Sequence, residues 1–258
     1  MAKVSTTEIT SDSIASDNPI HQRLLSAYVY AQPQIEGNLL EIGCGTGRGL
    51  AILINSSDQY TGIDKYKSLT DDLQLEYPQA DFKAMNIPPL KDIADNSFDT
   101  VVSFQVIEHI KDDKSFLKEI YRVLKPGGKA IISTPNKKMT LTRNPWHIRE
   151  YFASELEKLC QSIFSKVEAN GIAGNDKVMD YHERNRQSVK KITRFDILNL
   201  QYRLPATLLR IPYEFLNRLN RNKLDKADKA LVKSITVADF FVNENAEESL
   251  DLFYTLEK

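Results

Sequence analysis

Cysteine is almost absent from this 258-residue chain: Cys44 and Cys160 are the only two. Two isolated thiols cannot build a disulfide framework, and their spacing matches no metal-binding pattern. A reducing, cytoplasmic setting is the expected one. No run of about 18 apolar residues occurs, so no membrane-spanning helix is expected. The first 18 residues are rich in Ser and Thr and lack an apolar core. They are expected to form a disordered tail and not a secretory signal. Internal repeats are missing as well.

What remains is ordinary for a globular protein, at 41% apolar and 27% charged residues. The net charge of −1 conceals an uneven distribution. Lys177 to Lys233 holds 14 Lys and Arg against 6 Asp and Glu, a surplus of +8, which leaves −9 for the rest. An acidic body carrying a basic segment calls for a physical reason.

Short apolar runs alternate with helical patterns. Strands are expected at Asn38–Ile42, Tyr60–Asp64, Ala80–Met85, Phe98–Phe104, Lys129–Ser133, Ser165–Ala169 and Leu250–Leu256. Helices are expected over Pro19–Gln32, Gly47–Asn55, Ser68–Glu76 (capped by Ser68), Asp112–Leu124 and Ser154–Cys160. This alternation predicts an α/β fold: a Rossmann-like, seven-stranded, mostly parallel sheet with helices on both faces. Residues 19–175 and 236–258 would form that body, and 176–235 a mostly helical insertion. Within the insertion, Pro205 and Pro212 are expected to break the segment into short helices.

The densest information lies in Leu39-Leu40-Glu41-Ile42-Gly43-Cys44-Gly45-Thr46-Gly47. An apolar strand ends in an acid and a glycine-rich turn, where backbone can approach a ligand without a Cβ in the way. A dinucleotide fingerprint would need a third glycine where Arg48 stands. The run resembles the first motif of the class I S-adenosylmethionine-dependent methyltransferases, and the resemblance is close over about residues 36–135. It implies binding of S-adenosyl-L-methionine, with S-adenosyl-L-homocysteine as product. Glu41, Gly43, Cys44, Gly45 and Gly47 would belong to the cofactor site. Asp64, 17 residues past Gly47, would accept hydrogen bonds from the ribose hydroxyls. Met85 and Asn86 would meet the adenine, and Gln105 the methionine end.

The same resemblance places Glu108 and His109 at the pocket. Some ubiquinone-pathway relatives hold a divalent metal with E-x-x-E-H at this point, but Gln105 replaces the first acid here, so no metal is expected. Lys125-Pro126-Gly127-Gly128 resembles the family's turn before the fifth strand. Asn144 to Tyr151 resembles a segment that lies over the active-site mouth in members acting on small molecules. His109 and His147 are the candidate catalytic bases, and Glu108, His147, Glu150 and Tyr151 the candidate acceptor contacts. A base is required only when the acceptor arrives protonated.

The implied function is methyl transfer to a small or lipid-like acceptor by a monomer or homodimer. An RNA methyltransferase using the basic insertion and a non-catalytic S-adenosylmethionine-binding regulator are the alternatives, although no nucleic-acid motif is present. The insertion is expected to act as a lid with its apolar side packed on the sheet edge and Arg and Lys outermost. A dimer contact, a peripheral membrane contact and a nucleic-acid surface are its other readings.

Overall fold

The computed structural model describes Thr10 and residues 14–258 apart from Ile197. Eight strands form one sheet: β1 (Asn38–Ile42), β2 (Gln59–Asp64), β3 (Asp81–Ala84), β4 (Phe98–Phe104), β5 (Leu124–Pro135), β6 (Lys166–Gly174), β7 (Phe240–Asn243) and β8 (Asp251–Glu257). Their spatial order is β3-β2-β1-β4-β5-β8-β6-β7. The pairings from β3 through β5 are parallel. Those joining β5, β8, β6 and β7 are antiparallel. The chain runs outward from β1 to β3 and then returns to β4 on the other side of β1. Loops leaving β1 and β4 therefore diverge, and they open a crevice at the strands' carboxyl ends where ligands bind in such sheets.

The central strands carry apolar residues on both faces, as a sheet covered on both sides requires. Leu40, Ile42, Val101 and Ile132 pack into one core with Phe116 and Ile120 of α4 (Asp113–Val123) and Leu156 of α5 (Ala153–Gln161). Leu39, Val102 and Ile131 pack into the other, with Tyr28 of α1 (Asn18–Ala31) and Leu53 of α2 (Leu50–Ile54). A short helix α3 (Lys67–Glu76) follows β2. Between β6 and β7 come α6 (Asp176–Thr193), α7 (Leu200–Arg203), α8 (Ala206–Ala227) and α9 (Lys229–Ser234).

Four expectations need correction. The sheet has eight strands and not seven, because Phe240–Asn243 pairs with Gly171–Gly174 along an extended β6. Ser68 does not cap α3, whose N-cap is Tyr66. Pro212 does not end a helix: α8 runs 22 residues through it. The ring removes the bond that residue 212 would give to the carbonyl of Leu208. Leu208 is exposed, so water can satisfy that carbonyl. Finally, residues 1–9 and 11–13 of the expected tail lie outside the described residues, but Ser16 and Asp17 are buried, although Ile14 and Ala15 are exposed. The Thr10 carbonyl accepts from Arg48 at 3.2 Å. Asp17 is fully buried, with Arg218 at 2.7 Å and Arg221 at 3.1 Å.

Glu41 ties the first elements together. It sits in β1 at 2% exposure. Its carboxyl accepts from the Tyr28 hydroxyl of α1 at 2.9 Å and from the Tyr60 hydroxyl of β2. Burial raises its pKa from 4.5 to about 7, with the two phenol bonds opposing the rise. A carboxyl with a raised folded pKa binds its proton more tightly in the native state, so its contribution is full at low pH and lost as pH rises. Relative to Glu41→Gln, the wild type should lose stability between pH 4.5 and about 7. The loss should approach about 3 kcal/mol, read by denaturant titration at stepped pH. Parallel pH profiles would refute the assignment.

Candidate active site

The turn after β1 is held against β2 by backbone bonds. The N–H groups of Gly43 and Cys44 both donate to the Ile63 carbonyl, at 2.7 and 3.0 Å. Gly43, Gly45 and Gly47 have φ of +86°, +54° and +78°, a region in which side chains are strained. A Cβ on Gly43 would meet Val106 at 2.3 Å, so the β4 loop closes directly on this turn. A Cβ on Gly45 would meet nothing within 4 Å, because its bare backbone faces open space. The Gly45 N–H donates to Asp64 Oδ2 at 3.0 Å, and the Tyr66 N–H to Oδ1 at 2.9 Å. Asp64 is thus fixed at the end of β2, and each oxygen keeps a further lone pair for an incoming donor.

A cavity of about 850 Å³ runs from this turn to the opposite wall. Gly43, Cys44, Gly45, Asp64, Met85, Asn86 and Gln105 line its first half. Gln105 takes φ of +57°, rare outside glycine. Its N–H donates to the Ser133 carbonyl at 2.8 Å, which pins the β4 loop to β5. The bare Gly45 backbone, the oriented carboxylate and the apolar and amide pair at 85–86 suit the aminoacyl, ribose and adenine parts of S-adenosylmethionine respectively. Two expected cofactor residues do not reach the cavity. Glu41 is consumed by its tyrosines behind the turn, and Gly47 packs on Leu50 and Leu73. Cys44 reaches it as a neutral thiol, since burial and the charges of Glu41 and Asp64 push its pKa up.

Glu108, His109 and His147 face the second half, with ligand-capable atoms within 4.8 Å of one another. The His109 and His147 rings meet edge to face at 5.0 Å. The loop carrying His147 is anchored by the Glu108 carbonyl, which accepts from Ile148 and Arg149 at 2.8 and 3.2 Å. Buried Glu108 accepts from Thr134 through Oε2 at 2.9 Å, and its other oxygen has no hydrogen-bond donor. Burial raises its pKa, and the neighbouring histidines oppose that rise. His109 Nδ1 lies 3.0 Å from the Trp146 carbonyl, which can only accept. The neutral ring therefore carries its proton on Nδ1 and its basic lone pair on Nε2.

His147 differs. Its Nδ1 meets Glu150 at 2.6 Å and its Nε2 meets the Asn144 amide at 2.8 Å. Glu150 spends its second oxygen on Thr140 at 2.6 Å, so it orients His147. Tyr151 is fully buried and donates to Asp113 at 2.8 Å, and it is not part of the cavity wall. The Tyr151 expectation is corrected accordingly.

The insertion covers this half, but not as expected. Arg210, Tyr213, Asn217, Asn220 and Arg221 of α8 line the cavity, while Leu208, Ile211, Phe215 and Leu219 are exposed on the opposite face. The polar side is inward. Arg210 stacks its guanidinium 4.1 Å from the Trp146 ring centre, and the indole N–H donates to Glu214 at 2.8 Å. Sequence pattern alone does not mark these α8 residues, because a polar face is read as solvent-facing. The 3–4–3 spacing of Arg210, Tyr213, Asn217 and Asn220 is the available signal. Arg23 of α1, paired with buried Asp251 at 3.2 Å, also lines the cavity and had no local motif to mark it.

Residues 40–132 match the family model described as a methyltransferase domain. A probable S-adenosylmethionine-dependent methyltransferase of Mycolicibacterium smegmatis is 34% identical over 170 residues, 63% of this chain and 65% of that protein. A ubiquinone biosynthesis O-methyltransferase of Idiomarina loihiensis is 32% identical over 103 residues, 38% of this chain and 42% of the relative. The chain thus spans less than two thirds of either relative. The solved structure of a Thermotoga maritima S-adenosylmethionine-dependent methyltransferase, titled a possible histamine N-methyltransferase, superposes with a TM-score of 0.56 at 16% identity, covering 93% and 92% of the two chains. That likeness concerns the fold. Residues 40–132 thus match a methyltransferase domain, and the glycine turn with its partner Asp64 and the central strands of the sheet lie largely within that match.

Proposed function

We propose that the protein transfers a methyl group from S-adenosylmethionine to a small or lipid-like acceptor. The observation that carries this reading is one continuous cavity, with a bare glycine turn and oriented carboxylate at one end and a histidine pair at the other. When bound, the cofactor supplies a methyl group already activated on a sulfonium. Gly43, Gly45, Asp64, Met85, Asn86 and Gln105 would hold it. The chain's remaining task is alignment and exclusion of water, and alignment alone can lower a barrier by about 7–11 kcal/mol.

His109 is the proposed proton acceptor for a hydroxyl or ammonium acceptor, through Nε2. The Trp146 carbonyl fixes its tautomer. His147 is assigned a positioning part, since Glu150 and Asn144 engage both its ring nitrogens. The same occupancy supports a metal-free mechanism. A cation between Glu108, His109 and His147 would have to displace Asn144 or Glu150, and Gln105 directs its amide to Ser133 at 3.4 Å.

Three outcomes test this reading. Calorimetry should detect S-adenosylhomocysteine binding and no NAD binding, and Asp64→Ala should weaken the former by about 1.5–3 kcal/mol, as for hydrogen bonds with a charged partner. Comparable NAD affinity would sink the cofactor assignment. In a labelled-methyl screen of metabolite and lipid fractions, His109→Gln should keep that binding but slow turnover by about 10²- to 10⁴-fold. Unchanged turnover would exclude His109 as base. EDTA should leave wild-type turnover intact, whereas loss that magnesium restores would show that the histidine cluster holds a metal.

A further inference from the structure

Helix α8 is built inside out. Leu208, Ile211, Phe215 and Leu219 recur at spacings of three and four, which sets them on one stripe about 17 Å long. Ile211 is 83% exposed and Phe215 64%. Leu198, Leu200 and Tyr202, leading into α8, are exposed too. The opposite face carries the polar side chains that line the cavity. Burial of apolar surface normally docks a helix. Here the largest apolar side chains of α8 point away from the body.

We propose that this outer face of α8 seats the protein on an anionic lipid surface. The charge around the stripe selects that occupant. Four and seven residues past Leu219, the same face continues as exposed Lys223 and Lys226. Before α8 in the chain, Arg203 of α7 and Lys190, Lys191 and Arg194 at the end of α6 are exposed too, and the acid among them, Asp196, is engaged by the Leu200 and Gln201 N–H groups. The helix's acid nearest the stripe's centre, Glu214, is turned inward to Trp146. A twofold pair of copies meeting through this stripe would set basic ends against basic ends, so self-association is opposed. Apolar side chains flanked by Lys and Arg fit the boundary between acyl chains and acidic headgroups. Among the described residues no helix is long and apolar enough to cross a membrane, so the contact is peripheral. The seat places the cavity's roof against the bilayer, with α8 between them.

The test is co-sedimentation of the full chain with phosphatidylcholine vesicles, with and without phosphatidylglycerol. Wild type should pellet with the mixed vesicles, be released by salt, and stay in solution with pure phosphatidylcholine. Ile211→Asp with Phe215→Asp should weaken vesicle association by about tenfold or more, and Lys223→Glu with Lys226→Glu by about tenfold. Both side chain pairs are exposed, so each variant should retain wild-type S-adenosylhomocysteine binding, which shows that it is folded. The proposal fails if wild type ignores acidic vesicles or if folded variants bind them as well as wild type. It also fails if Ile211→Asp splits a wild-type dimer in sedimentation velocity without any vesicle association. None of these readouts depends on methyl transfer.

Discussion

A carboxyl group held by two phenols lies behind everything the cavity presents. Glu41 in β1 joins α1 through Tyr28 and β2 through Tyr60. Those contacts set the level at which β1 ends, and the glycine turn starts two residues later. Turn and β2 then share a second connection, from Gly45 to Asp64. The ligand-facing backbone is consequently supported from below by a buried polar cluster and from the side by a carboxylate. Glu41 itself does not line the cavity. It acts through the elements it holds.

Most of the sheet was legible because its central strands are short apolar runs bounded by turn residues. Asn38–Ile42 and Phe98–Phe104 have the expected limits. β7 was less legible: Phe240-Phe241-Val242-Asn243 has strand-forming residues, but a run of four is too short to stand out until it pairs with β6. In the candidate site, Gly43, Cys44, Gly45, Gln105, Glu108 and His109 reach the cavity because each of the two central loops carries its motif in one stretch of chain. Glu41 and Tyr151 occupy suggestive sequence positions, yet their polar atoms are satisfied within the body. Arg23 and the inner face of α8 reach the cavity through tertiary packing, which local pattern does not encode.

The insertion shows how polarity can mislead when read as an address. A stripe of Leu, Ile and Phe ordinarily marks the side that meets the core. On α8 the core-facing side instead carries Arg210, Asn217 and Arg221, because that side borders a chamber needing hydrogen-bonding groups. Trp146 links the two regions: it stacks under Arg210, donates to Glu214, and its carbonyl orients His109. One residue therefore couples the helical roof to the tautomer of the histidine beneath it.

Asp17 gives this roof a second attachment. It is fully buried and meets Arg218 and Arg221 across more than 200 positions of sequence. Lifting α8 must uncover a carboxylate and two guanidinium groups in one event, and the start of α1 is bound into the same event. Opening is then a collective fluctuation of both chain regions and not a fraying that begins at one helix end. In hydrogen exchange, the amides near Asn18 and those in the latter half of α8 would open as a single unit, even though nearly the whole chain separates them.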